Sequence, residues 1–100
     1  MNIDFKLLRN AVALADHESF SLAARELGIS QPALSRSIQR LEASLESSLF
    51  IRSRKGVRPT VSGELLLARA RDLLARADGL ERELGRLKGL ARTTYLLGAG

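Results

Sequence analysis

The chain has 100 residues, the length of one small domain or of a domain with an extension. It carries 16 Lys and Arg against 11 Asp and Glu, which gives a formal net charge of +5, and it contains no cysteine. Disulfides, thiolate metal sites and a cysteine nucleophile are therefore excluded, and a large enzyme pocket is not expected. The basic balance is one footprint of a nucleic-acid-binding protein.

The amino terminus, MNIDFKLLRNAVALADHE, is not the basic and then apolar segment of a signal peptide, because acids flank and interrupt its apolar run. No segment reaches the roughly 18 apolar residues that a membrane span needs. We therefore expect a cytoplasmic chain with no membrane partner.

A first helix is predicted from about Asp4, as the N-cap, to Asp16. The apolar residues at helical spacing, which we expect to form one wall of the core, are Phe5, Leu8, Val12 and Ala15. The only histidine, His17, falls in the break after this helix. We expect an exposed loop residue there rather than a catalytic base or a metal ligand.

Residues 21–42, SLAARELGISQPALSRSIQRLE, have the pattern of two helices joined by a tight turn. Gly28 is suited to the left-handed end of the first helix, Ser30 is the predicted N-cap of the second, and Pro32 falls in its first turn. The second helix is predicted over about 31–46. The apolar residues that close a core between the helices are Ala24, Leu27, Leu34, Ile38 and Leu41. This pattern is typical of a helix-turn-helix, whose second helix enters a major groove of DNA.

The outer face of that second helix is polar and has no acid. Gln31, Ser35 and Gln39 form a row one turn apart, beside Pro32 and Arg36. Glutamine pairs with adenine edges, arginine with guanine N7 and O6, and serine with several bases. The face predicts base contacts, although a purely structural corner of two helices stays open as the alternative.

Residues 49–59, LFIRSRKGVRP, contain two short extended pieces around a turn at residues 54–56. They predict a basic hairpin, or wing, beside the second helix. The cations expected to reach flanking phosphates or a minor groove are Arg52, Arg54, Lys55 and Arg58. The alternative is a solvated turn.

A long helix is predicted after Thr60, its N-cap, because no proline interrupts the next 28 residues. Its apolar residues follow an a/d heptad pattern, which we call the leucine seam: Leu66, Ala70, Leu73, Ala77, Leu80, Leu84 and Leu87. A seam of this length exceeds a small helical core and favours homodimerisation. It also fits packing on its own domain, or a protein-interaction module that binds a foreign helix without specific DNA binding. Residues 93–100, TTYLLGAG, are expected to be strand-forming and frayed or held by a neighbour.

No enzyme activity, cofactor or metal is predicted. The serines of the second helix lack a neighbouring base, and its acids are expected to be helix-surface charges, as are those of the long helix: Glu42, Glu46, Glu81 and Glu83. A single-stranded RNA binder ranks last, because it needs an aromatic stacking platform and the aromatic residues fall at core or tail positions: Phe5, Phe20, Phe50 and Tyr95.

The segment FSLAARELGISQPALSRSIQRLEASLESSLFIRSRKGVRPTVSG closely resembles the amino-terminal domain of LysR-type transcriptional regulators. Its most specific parts are AARELGISQPALSRSIQRLE, then Leu49, Phe50 and Arg52, then PTVSG, and the match covers about residues 3–90. The resemblance implies a mainly α fold with a winged helix-turn-helix over 1–59. It also implies a linker or dimerisation helix over 60–89, followed over 90–100 by the start of a truncated effector-binding domain.

The resemblance also implies the partners and the contact residues. They are double-stranded DNA and a second copy, with linker helices usually antiparallel, or a tetramer in the full-length protein; a small-molecule effector acts only through the missing domain. The implied location is the bacterial cytoplasm, at the nucleoid. The implied base-reading residues are Gln31, Pro32, Ser35 and Arg36, and the implied minor-groove residues are Arg52 and Arg54. Phosphate or peripheral contacts are assigned to Ser21, Ser30, Gln39 and Arg40. One departure from the family pattern is Pro59, where a bulky apolar residue is common.

Overall fold

The computed structural model describes residues 3–98, with side chains described for residues 3–90. The elements in chain order are α1 (Phe5–His17), α2 (Phe20–Leu27), α3 (Gln31–Leu45), β1 (Phe50–Ser53), β2 (Gly56–Pro59) and α4 (Val61–Gly98). The predicted mainly α architecture is confirmed: a helix-turn-helix of α2 and α3, a two-stranded wing and a long carboxy-terminal helix.

Side chains cap the start of each of the first three helices. A carboxylate oxygen of Asp4 accepts a hydrogen bond from the backbone N–H of Lys6 at 2.9 Å, and the Ser30 hydroxyl accepts one from Ala33 at 3.2 Å. The N-cap of α2 is Ser19, whose hydroxyl accepts from Leu22, so α2 begins at Phe20, one residue before the predicted start. These caps satisfy N–H groups that have no partner within the helix.

The core lies where α1 packs against α2, α3, α4 and β2. Its buried members include Leu8, Ala11 and Leu14 of α1, Leu34, Ile38 and Leu41 of α3, and Leu49 before β1. The predicted α1 face is confirmed except at its first residue: Leu8 is buried, and Val12 and Ala15 are half-buried against the core, whereas Phe5 is 41% exposed. Helical spacing did not show that Ala11 and Leu14 are the more deeply buried neighbours.

The wing is an antiparallel hairpin whose register runs from Phe50 opposite Pro59 to Ser53 opposite Gly56. The backbone N–H of Val57 donates to the Glu18 carbonyl oxygen at 3.2 Å, which fixes β2 to the α1–α2 connection. Gly56 has φ +120°, and a Cβ there would lie 2.6 Å from the same carbonyl oxygen. Only glycine fits this turn, so the predicted hairpin and its position beside the helices are confirmed.

α4 begins on the core and then extends away from it. The Thr60 hydroxyl accepts from the N–H of Gly63 at 3.0 Å, as predicted for an N-cap, and donates to the Ser48 carbonyl at 2.6 Å. Two exposed ion pairs join α1 to α4: Arg71 with Asp16 at 2.6 Å and Arg9 with Asp78 at 3.5 Å. Every side chain from residue 80 to residue 90 is exposed.

The helix continues to Gly98, so the strand predicted within residues 93–100 is wrong for residues 93–98. Extending an existing helix adds one hydrogen bond per residue, whereas a strand needs a neighbour to pair with. Side chains beyond residue 90, including Tyr95, lie outside the described residues, as do residues 99 and 100 altogether. The boundaries at 59/60 and 89/90, and the assignment of 90–100 to a further domain, stay predictions. Within residues 3–98, no helix is long and apolar enough to cross a membrane.

Candidate nucleic-acid interface

The outer face of α3 is exposed and carries no acid over its first three turns. Gln31, Pro32, Arg36, Gln39 and Arg40 are exposed, and Ser35 is half-buried beside them. They share α3 because its apolar residues turn the opposite side into the core. The structure therefore brings the predicted base-reading residues together on one surface.

Glu42 is the first acid of α3, and the structure corrects its predicted role as a helix-surface charge. Its carboxylate accepts hydrogen bonds from the backbone N–H groups of Leu49 at 2.7 Å and Phe50 at 3.4 Å. The negative charge is thus directed to the loop before β1 rather than to the polar face. Glu46 is exposed, as predicted for a surface charge, and it ends α3 in the left-handed conformation with φ 52°.

Two serines predicted to contact phosphates occupy helix starts. Ser30 uses its hydroxyl oxygen to cap α3, and its hydroxyl hydrogen stays free to donate outward. Ser21 is exposed in the first turn of α2. Both therefore lie where unpaired backbone N–H groups and the positive helix end favour an anion.

The wing divides its cations between two places. Arg54, Lys55 and Arg58 are exposed on the hairpin. Arg52 is exposed as well, but its guanidinium carbon lies 4.0 Å from the centre of the Phe20 ring. Its Nη2 also donates to the Ser35 hydroxyl oxygen at 3.0 Å. Arg52 therefore connects β1 to both helices of the helix-turn-helix.

A cleft of about 400 Å³ between α1 and α3 adds a cationic flank that the sequence analysis missed. Lys6 of α1 lines it with Arg36 and Arg40 of α3, and Asp4 is its single acid. Lys6 gave no sequence signal, because spacing within α1 does not show that its first turn lies beside α3. The polar face of α3 is thus bordered by cations on its α1 side and on its wing side.

The leucine seam is divided between the core and solvent. Ala70 is 1% exposed and Leu66 is half-buried, so the chain's own domain covers them, and the prediction of Ala70 as a dimer contact is wrong. The heptad pattern failed there because it records which positions are apolar and not what covers them. The later leucines are uncovered in the single chain, with exposures of 41% for Leu73, 58% for Leu80, 52% for Leu84 and 61% for Leu87. Ala77 is half-buried.

His17 is the last residue of α1, half-buried, rather than an exposed loop residue. Its Nε2 lies 3.0 Å from a carboxylate oxygen of Glu26, so it joins the ends of α1 and α2. Across residues 3–90, no group of three or more His, Cys, Asp or Glu side chains is placed to hold a metal ion.

The comparisons with known proteins agree with this geometry. Residues 5–64 match the family model described as "Bacterial regulatory helix-turn-helix protein, lysR family". The chain is 45% identical over 83 residues to the small neutral protease regulatory protein of Streptomyces coelicolor, covering 83% of this chain and 25% of that protein. It is 43% identical over 97 residues to the SDS degradation transcriptional activation protein of a Pseudomonas species, covering 97% of this chain and 32% of that protein.

The chain therefore spans between a quarter and a third of the length of these curated relatives. Among solved structures, the complex of the BenM DNA-binding domain with catB site 1 DNA superposes with a TM-score of 0.82 at 35% identity. That match covers 85% of this chain and 94% of the BenM chain. With α1, the helix-turn-helix, the wing and the first turn of α4 all inside the matched region, the chain belongs to the lysR family of bacterial regulatory helix-turn-helix proteins.

Proposed function

We propose that this chain binds double-stranded DNA sequence-specifically, as a homodimer that regulates transcription. One α3 enters the major groove of each half-site, and each wing lies over the flanking minor groove. The observation that carries the proposal is the exposed, acid-free face of α3 between two cationic flanks. The similarity of the chain to the BenM DNA-binding domain, solved in complex with DNA, and to the SDS degradation transcriptional activation protein supports the same conclusion.

We assign base contacts to the polar face of α3 and backbone contacts to the cations on either side of it. Gln31, Pro32, Ser35 and Arg36 read base edges. The first three line a cleft on the wing side of α3, and the exposed Arg36 lies toward the α1 side of the same helix. Lys6, Arg40, Arg54, Lys55 and Arg58 hold phosphates or the minor groove on either side, and Ser21, Ser30 and Gln39 add peripheral contacts. Base contacts select the sequence, and phosphate contacts fix the register.

The electrostatic part of the proposal is tested by the salt dependence of binding. Fluorescence anisotropy with labelled duplexes, measured from low to high salt, should give log affinity falling linearly with log salt. The slope should be about −0.9 for each phosphate neutralised. Affinity that does not change with salt would contradict phosphate contacts by the flanks.

The base-reading part is tested by Arg36→Ala. We expect loss of about 1–3 kcal/mol on duplexes selected for tight binding, and a relaxed preference at one base position, because a good arginine–guanine pairing has that magnitude. Arg82→Ala, on the exposed part of α4, is the control and should leave binding unchanged. Equal weakening by Arg36→Ala on all duplexes would instead assign Arg36 to the DNA backbone.

The homodimer is proposed from the uncovered leucines of α4. Leu73, Leu80, Leu84 and Leu87 are 41–61% exposed along one heptad seam, and a second copy of the same helix supplies a matching surface. Leu80→Asp should give monomers in sedimentation, because it introduces an unpaired charge into an apolar interface without touching the domain core. Arg82→Asp, off the seam, should leave dimers. A monomeric wild-type chain would contradict the dimer and favour a foreign helix as the partner.

The proposed effector, tetramer and cellular location rest on the family resemblance. Because the relatives are three to four times as long, we assign a small-molecule effector to a domain outside residues 3–90, and tetramers to the longer protein. Binding to chromosomal DNA would place the protein at the nucleoid in the cytoplasm. Sedimentation of a longer chain, with and without candidate effectors, tests both assignments.

A further inference from the structure

Among the residues that the structure describes, Arg52 is the one wing cation whose side chain contacts other elements. Its guanidinium lies over the ring of Phe20, the first residue of α2, and one of its N–H groups reaches the hydroxyl of Ser35 on α3. Phe20 is 8% exposed, so the ring is a fixed platform. Among the described residues, no carboxylate forms an ion pair with Arg52. The positive charge is therefore held next to Ser35 without being neutralised.

The direction of the Arg52–Ser35 hydrogen bond decides what Ser35 offers to a ligand. A serine hydroxyl has one hydrogen to donate and two lone pairs, whereas a guanidinium only donates. Arg52 therefore occupies a lone pair of Ser35, and its charge repels the hydroxyl hydrogen to the other side. That hydrogen has no acceptor among the described residues. Ser35 and Arg52 line one cleft of about 260 Å³ with Gln31 and Pro32, so the hydrogen is free to point into the space beside the reading face.

We infer that Arg52 is a specificity-determining positioning residue that makes Ser35 a hydrogen-bond donor to DNA. In the major groove, such a donor recognises guanine N7 or O6, adenine N7 or thymine O4, and it disfavours the amino groups of adenine and cytosine. Arg52 acts through Ser35 and does not itself hold a phosphate. The inference rests on the proposed DNA binding by α3, and it adds that Ser35 donates rather than accepts the hydrogen bond to the base.

The test compares the base preferences of variants by selection from a pool of random 30-base-pair duplexes. Ser35→Ala removes the hydroxyl, and Ser35→Thr keeps it. Arg52→Met keeps an unbranched side chain that packs on Phe20 but has no charge and no donor. The matched control is Arg54→Met, the same substitution two residues along the wing, where the side chain is exposed and has no contact with Ser35 among the described residues.

Ser35→Ala and Arg52→Met should lose the preference at the same base pair of each half-site, by about 3- to 10-fold, which corresponds to one neutral hydrogen bond. The double variant should lose no more than either single variant, because both remove the same contact. Ser35→Thr should keep the preference. Arg52→Met should leave the salt slope of affinity unchanged, whereas Arg54→Met should reduce its magnitude by about 0.9 and keep the motif.

Three results would overturn the inference. A salt slope reduced by about 0.9 in Arg52→Met, with the motif intact, would make Arg52 a phosphate contact. Loss of preference at different base pairs in the two single variants would make Arg52 a base contact in its own right. Retention of every preference by Ser35→Ala would exclude Ser35 from readout.

Should circular dichroism show that Arg52→Met is unfolded, Arg52→Lys replaces it, since lysine keeps the charge but not the planar group that stacks and donates together. If the wild-type chain selects no sequence while it is folded, the proposed function itself fails, and this inference fails with it.

Discussion

Gly63 lies in the first turn of α4, and replacing it by alanine tests how closely that helix is seated on the loop before β1. A Cβ at this position would lie 2.0 Å from the carbonyl oxygen of Leu49 and 3.2 Å from Cβ of Pro59. The carbonyl belongs to the backbone of a buried residue and also accepts a hydrogen bond from the N–H of Thr60 at 2.9 Å. Rotation of a side chain cannot relieve the clash, because both the new Cβ and the Leu49 carbonyl oxygen are fixed by the backbone.

The expected cost of Gly63→Ala follows from these contacts. Overpacking of a well-packed site costs about 1–3 kcal/mol, and a displaced helix start weakens the Thr60 cap, which is worth about 1 kcal/mol. The better helix propensity of alanine returns up to about 1 kcal/mol. The free energy of unfolding should therefore fall by about 2 kcal/mol, which corresponds to a decrease in Tm of about 8–16 °C for a domain of this size.

Gly85→Ala is the matched control, because it is the same substitution in the same helix with no atom within 4 Å of the new Cβ. It should raise stability by up to about 1 kcal/mol. Both variants are compared with the wild type by urea denaturation followed by far-UV circular dichroism, at one protein concentration because the proposed dimer would make stability depend on concentration. A Gly63→Ala variant as stable as the wild type would refute the close seating of α4.

Two further substitutions test other connections between elements. Glu42→Ala should lower the free energy of unfolding by about 1–3 kcal/mol, because the buried N–H of Leu49 loses its acceptor; Glu42→Gln, which keeps a carbonyl oxygen, should lose less, and equal losses in urea denaturation would contradict this role. Asp16→Asn should change stability by less than about 1 kcal/mol although its carboxylate is 2.6 Å from Arg71, because both side chains are about half exposed; a larger change in the same assay would show that the pair holds α4 on α1.

The local parts of the fold could be predicted because their physics is local. Asp4, Ser30 and Thr60 were recognisable as N-caps from their short polar side chains just before helical patterns, and the structure confirms all three. Gly28 and Gly56 marked left-handed or tight backbone, and both have positive φ. Binary patterning of residues 21–42 gave the helix-turn-helix for the same reason.

The contacts between elements could not be read in this way. Glu42 reaches amides seven and eight residues away, and Arg52 reaches Ser35 across seventeen, so their roles depend on how α3 and the wing pack together. The leucine seam shows the same limit in another form: Ala70 has the spacing of an interface residue, but it is already buried in the core of its own domain. Spacing identifies apolar positions, and only packing decides their partner.

Sequence-specific DNA binding by α3 is tested most directly by selecting bound duplexes from a random pool with the wild-type chain and mapping the protected bases. We expect enrichment of an inverted repeat, with one half-site for each α3 and half-site centres separated by about 10 base pairs or a multiple of that. Failure to enrich any sequence above the starting pool, by a chain shown to be folded and dimeric, would contradict sequence-specific DNA binding by α3.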